Sequence, residues 1–117
     1  MSTKSVLIVD DSRVSRMMVS AIINNMYTDW TITEAASGDE AITVLSELKP
    51  DIAIIDFNMP GIDGLQLAEK IKQQSPNTAI TLLTANVQDS IQAKAATLGV
   101  SFAGKPITEE KIVSIIS

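Results

Sequence analysis

The sequence predicts an α/β fold: five short strands alternating with five helices, the strands forming one parallel sheet with helices on both faces. Three observations predict it. Short apolar runs recur along the chain, and three of them are continuous and rich in Val, Ile and Leu, as strands buried on both faces require. Between the runs lie longer stretches with apolar residues at helical spacing. The order βαβαβαβαβα, with right-handed crossovers, then leaves a doubly wound parallel sheet. The length, 117 residues, suits one domain, and 1–117 reads as a single unit without repeat, linker or low-complexity segment.

The elements follow in order. Val6–Val9 is the first strand, and the next helix carries an apolar stripe of Val14, Met17, Met18, Ala21 and Ile22. Thr31–Ala35 partly alternates with polar residues, which marks an edge strand. Ser37-Gly38-Asp39-Glu40 has the form of a capping box before the stripe Ala41, Ile42, Leu45 and Leu48. Ile52–Ile55 is the third strand. Leu67, Ala68 and Ile71 mark a third helix, which must end before Pro76. Ala79–Leu83 is the fourth strand. Ile91, Ala95 and Leu98 mark a fourth helix, closed by Gly99 as its C′ residue. Ser101–Ala103 is the fifth strand. Thr108-Glu109-Glu110 caps and charges the start of a last helix bearing Ile112, Val113, Ile115 and Ile116.

Composition narrows the chemistry. The chain has no cysteine, which removes disulfides, thiolate metal sites and thiol nucleophiles. It has no histidine, which removes Ser-His and Cys-His catalysis and the commonest zinc sites. Carboxylates, hydroxyls and lysines remain. The net charge is −5, from 9 basic and 14 acidic residues, with no basic run, so nucleic acid and anionic membrane are poor partners. The apolar run before Asp10 is too short for a signal peptide or a membrane span, and a cytoplasmic protein is expected.

In a sheet of this kind ligands bind beyond the carboxyl ends of the strands. Asp10 and Asp11 follow the first run and Asp56 the third; Thr84 follows the fourth and Lys105 the fifth. Three carboxylates, a hydroxyl and an ammonium are therefore expected on one rim. A divalent cation would relieve the repulsion among the carboxylates, and Mg²⁺ suits such oxygens while leaving room for a phosphate. A carboxylate is also a covalent nucleophile toward phosphorus. Each piece has a plainer explanation. Asp10-Asp11 before a helix can be a cap, Asn58-Met59-Pro60-Gly61 a turn, and Lys105 a surface lysine. The joint occurrence at four strand ends is what those explanations leave unexplained.

The pieces Val9-Asp10-Asp11-Ser12, Asp56-Phe57-Asn58-Met59-Pro60-Gly61-Ile62-Asp63-Gly64, Thr84-Ala85 and Lys105-Pro106 occur in the order and at the spacing of a known family. With them the chain resembles, over nearly its whole length, the receiver domains of two-component response regulators, including the single-domain chemotaxis regulator. The resemblance implies a flavodoxin-like sheet of order 2-1-3-4-5. It implies Asp56 as phosphoacceptor and Mg²⁺ as cofactor. Asp11, Asp56 and the Asn58 carbonyl would be direct ligands, and Asp10 would act through a water. Lys105 would pair with phosphoryl oxygens and Thr84 would move to hydrogen-bond one of them. Phe102 stands where the family has its aromatic switch, and Asn58 and Asn86 stand where dephosphorylation is tuned. A cis Lys105–Pro106 bond is implied as well.

The implied partners are a histidine kinase or phosphotransfer protein and a downstream protein bound by the face of the fourth helix, fifth strand and fifth helix. The implied role is a signalling switch rather than an enzyme acting on other substrates. Gly104 departs from the family, which usually has a bulkier apolar residue there, and the last strand is expected to be looser for it. Three other functions compete. A flavin or nucleotide module on the same fold would need a phosphate-cradling Gly- or Ser/Thr-rich loop after the first strand, where Asp10 and Asp11 would repel a phosphate in the absence of a metal. An aspartyl-nucleophile hydrolase of the haloacid-dehalogenase type wants Asp-x-Asp after the first strand, where this chain has Asp10-Asp11-Ser12. A receiver-like scaffold that takes no phosphate would not need the intact acidic set.

Overall fold

The computed structural model describes residues 3–117. Strands β1 (Ser5–Val9), β2 (Thr31–Ala35), β3 (Ile52–Ile55), β4 (Ala79–Thr84) and β5 (Ser101–Gly104) alternate with helices α1 (Arg13–Met26), α2 (Gly38–Leu45), α3 (Gly64–Gln74), α4 (Asp89–Leu98) and α5 (Glu109–Ile116). The strands form one parallel sheet in the flavodoxin-like order β2-β1-β3-β4-β5. β2 lies at one edge, where its polar residues can face water.

Alternation along the strands splits the core in two. Leu7, Val9, Ala53, Ile55, Ile80 and Leu82 face α2, α3 and α4, and pack with Leu45, Leu67, Ile71 and Ala95. Val6, Ile8, Ile52, Ile54 and Leu83 face α1 and α5, and pack with Val19, Ile23, Ile112 and Ile116. Trp30, just before β2, joins this second cluster and stacks on Tyr27 with ring centroids 4.1 Å apart. Among the described residues no helix is long and apolar enough to cross a membrane.

Helix ends follow from local chemistry. Gly99 ends α4 in the left-handed region at φ 73°, which a Cβ would strain. Thr108 caps α5 by accepting from the Lys111 N–H. At α2 the expected box forms only in half. Ser37 Oγ accepts from the Glu40 N–H, but the Glu40 carboxylate takes the N–H of Ala36 rather than that of Ser37. The complete box stands at α3, where Asp63 and Gln66 bond each other's backbone N–H.

The apolar stripe expected on α1 is corrected. Val14, Met17 and Met18 are 66, 55 and 44 % exposed, and Ala21 is exposed too; Ile22 alone of the stripe is half-buried. The face on the sheet is Val19 and Ile23, continued toward the helix start by the half-buried Ser15 and Arg16. Those polar residues sit where the helix passes the strand ends, so counting apolar residues selects the neighbouring face. Ile23→Ala should therefore cost about 3 kcal/mol through a core cavity, whereas Met17→Gln should stay within about 0.5 kcal/mol. Urea unfolding of the two variants checks this; equal losses would restore the original stripe.

Candidate functional site

Strand register builds the site. Val9 lies beside Ile55 in the β1–β3 pair, so the next residues, Asp10 and Asp56, leave the sheet side by side. Asp56 N–H donates to the Val9 carbonyl at 2.9 Å and Asp10 N–H to the Ala35 carbonyl at 3.1 Å, which carries the ladder one step past the strands. Thr84 lies beside Gly104 in the β4–β5 pair, and Lys105 N–H donates to the Thr84 carbonyl at 2.9 Å. Four strand ends thus deliver their next or last residue to one rim.

The rim holds Asp10, Asp11 and Asp56 with one carboxylate oxygen of each within 4.8 Å of the others. Asp10 and Asp56 are buried, while Asp11 is exposed. Lys105 Nζ donates to Asp10 Oδ2 at 2.9 Å and to Ser15 Oγ at 3.3 Å, and lies 3.6 Å from Asp56 Oδ2. Burial alone would lower the Lys105 pKa. The hydrogen bond to Asp10 and the charges of Asp56 and Asp10 outweigh it, so the ammonium is held above its ordinary value and is charged at neutral pH. Asp56 Oδ1 is buried with no hydrogen-bond partner among the described residues. A buried carboxylate oxygen left bare is costly, and it fits a hard cation or a covalent partner arriving from outside.

Thr84 is fully buried, and its Oγ1 accepts from the Asn86 N–H at 3.2 Å. Its own proton has no acceptor among the described residues. Asn58 is exposed in the turn after β3, and Phe102 is half-buried on β5 against the larger core cluster. The Lys105–Pro106 bond is cis. Gly64 opens α3 beside the site. A Cβ there would stand 2.5 Å from the Asp56 carbonyl and 2.8 Å from Phe57 Cα, so only glycine lets the helix start this close.

Asp10 and Asp11 do not cap α1. Ser12 is the N-cap, and its own N–H donates to Asp10 Oδ1 at 2.9 Å. The roles of three residues near the site escape sequence reasoning. Ser12 and Ser15 hold Asp10 and Lys105. Arg16 Nη1 donates to the Asp10 carbonyl at 2.7 Å while its Nε pairs with Glu34 Oε1 at 3.0 Å, tying the β1–α1 turn to the edge strand. The available signal is their place in the first turn after Asp10-Asp11, on the side of α1 toward the strand ends.

Comparison with known proteins agrees with this geometry. The family model described as the response regulator receiver domain matches residues 6–117. The chemotaxis protein CheY of Thermotoga maritima is 34% identical over 115 residues, covering 97% of this chain and 95% of its own. The positive alginate biosynthesis regulatory protein of Pseudomonas aeruginosa is 31% identical over 114 residues, 96% of this chain but 45% of its own length. A probable transcriptional regulatory protein of Mycobacterium tuberculosis is 33% identical over 112 residues, 93% of this chain and 46% of its own. The chain thus spans about half the length of those two regulators. Among solved structures, the chemotaxis response regulator CheY4 of Vibrio cholerae superposes with a TM-score of 0.86 at 26% identity, over 98% of this chain and 97% of that one. A receiver domain protein of Methanospirillum hungatei shares the fold at a TM-score of 0.90 and 21% identity, over 98% and 91%. Motifs, fold and family model coincide, and the chain belongs to the response regulator receiver domain family.

Proposed function

We propose that this domain is a phosphoacceptor switch. Asp56 takes a phosphoryl group from a histidine kinase or phosphotransfer protein in a Mg²⁺-dependent reaction, and a downstream protein reads the result at the face of α4, β5 and α5. The observation that carries it is Asp56 Oδ1, a buried carboxylate oxygen with no hydrogen-bond partner among the described residues, set among two further carboxylates and one ammonium. In the transfer, an Asp56 oxygen forms the new bond to phosphorus as the bond to the donor's leaving nitrogen breaks, and that nitrogen keeps the electron pair and takes up a proton. Lys105 stabilises the negative charge on the phosphoryl oxygens. Bound Mg²⁺ would supply further positive charge there; Asp11, Asp56 and the Asn58 carbonyl would hold it directly and Asp10 through a water. The chain's chemistry is confined to its own carboxylate, and a cytoplasmic place goes with this role.

The Thr84 hydroxyl proton, which has no acceptor among the described residues, gives the switch its trigger. A phosphoryl oxygen on Asp56 attracts it and draws the side chain from its bond with Asn86. Phe102, half-buried at rest, then turns further inward, and the α4–β5–α5 face changes with it. Phosphoramidate with Mg²⁺ should add one phosphoryl group, about 80 Da, to the intact mass, since a carboxylate is the nucleophile. Beryllofluoride should then shift NMR signals of Thr84, Phe102 and residues 88–98. No added mass would end the phosphoacceptor assignment, and unchanged signals at those residues would end the switch.

A further inference from the structure

Lys111 stands at an unfavourable place. It lies in the first turn of α5, two residues after the acidic Glu109, where the positive end of the helix dipole disfavours a cation. The residue is nonetheless half-buried, and its ammonium donates to two main-chain carbonyls, that of Gly104 at 2.5 Å and that of Pro106 at 3.1 Å. These carbonyls flank Lys105. On the other side Lys105 N–H hangs from the Thr84 carbonyl. The segment is therefore held from β4 and from α5, and Lys105 Nζ is aimed at Asp10 and Asp56 between the two anchors.

Gly104 explains why the second anchor matters. β5 is the outer strand, so its far side lacks a neighbouring ladder. Gly104 brings no side chain to stiffen it, and a Cβ there would stand 3.1 Å from Val87 Cγ1. The backbone at the end of β5 thus depends on bonds from elsewhere, and Lys111 provides two. Thr108 caps the turn from which Lys111 reaches, and Ile112 and Ile116 seat that helix in the core, so the ammonium starts from a fixed base.

We infer that Lys111 is a positioning residue for phosphoryl transfer: by clamping the Gly104 and Pro106 carbonyls it sets where the Lys105 ammonium sits relative to Asp56. This rests on the phosphoacceptor role proposed above. Small misplacements of a charge-stabilising group cost large factors in rate. The test is a cycle of variants, each shown folded by chemical denaturation, with phosphoramidate and Mg²⁺ and with label at Asp56 followed by intact mass over hours.

Lys111→Met keeps the stem and loses the donor, and should slow labelling about ten-fold, within the range that positioning effects reach. Lys111→Arg keeps two donors and should restore most of the rate. In a Lys105→Met background, Lys111→Met should change the residual rate less than about two-fold, because contributions that act through one group are not additive. An unchanged rate in Lys111→Met, failure of Lys111→Arg to recover, or an equal ten-fold loss in both backgrounds each overturns the positioning role while leaving the phosphoacceptor role standing. A parent protein that takes no label at Asp56 overturns both.

Discussion

Asp56→Asn is expected to take up no phosphoryl group under conditions that label the parent protein fully. The amide keeps the shape of the carboxylate but is not a nucleophile, and no other carboxylate has the same surroundings. Asp10 is engaged by Lys105 and by the Ser12 N–H, and Asp11 is exposed at the mouth. Among the carboxylates of the described residues, only that of Asp56 couples burial to an oxygen without a hydrogen-bond partner. The same substitution removes one of three negative charges packed within 4.8 Å, so the metal-free fold should gain on the order of 1 kcal/mol. Intact mass and urea unfolding read the two effects separately. Full labelling of the Asn variant at another residue would refute the assignment of Asp56.

The second large effect belongs to Asp11. Asp10 already spends its oxygens on Lys105 and Ser12, whereas no protein hydrogen bond or ion pair holds the Asp11 carboxylate among the described residues. An uncommitted, exposed carboxylate beside two buried ones is the group best placed to meet an arriving hard cation. Asp11→Ala should therefore weaken Mg²⁺ binding at least about ten-fold, a loss of about 1.4 kcal/mol. Without Mg²⁺ the same variant should be as stable as the parent or slightly more so, because like-charge repulsion falls. Calorimetric titration reads the first effect and chemical denaturation in chelator the second. Unaltered Mg²⁺ affinity, or a clearly destabilised metal-free variant, contradicts the placement.

Much of this was legible in the sequence because the fold is of a kind that writes itself plainly. A parallel strand covered on both faces must be apolar throughout, so Val6–Val9 and Ile52–Ile55 stand out. A doubly wound sheet then sends whatever follows each strand to one rim. That brings Asp10, Asp11, Asp56, Thr84 and Lys105 into one argument before any coordinate is known. Helix faces are less plain where they border the site. On α1 the buried face begins with Ser15 and Arg16, which bond Lys105 and the Asp10 carbonyl, so its apolar periodicity is broken where the chemistry starts. Lys111 was invisible for a similar reason. Its partners are backbone carbonyls, and carbonyls have no letter in a sequence. The expected loosening at Gly104 likewise takes no account of an ammonium reaching across from the next helix.

The Tyr27–Trp30 stack has a practical consequence for every experiment above. Trp30 is the only tryptophan in the chain and precedes the first residue of β2, at the amino ends of the strands. The acidic rim lies at their carboxyl ends. Its indole is 9 % exposed and faces a phenol ring nearly parallel to it, at 6°. Intrinsic emission should change strongly when the core opens to water and hardly at all when a cation or phosphoryl group arrives at the far end. Fluorescence is therefore a clean gauge of unfolding in the presence of any amount of Mg²⁺ or phosphodonor, and a poor one for occupancy of the site.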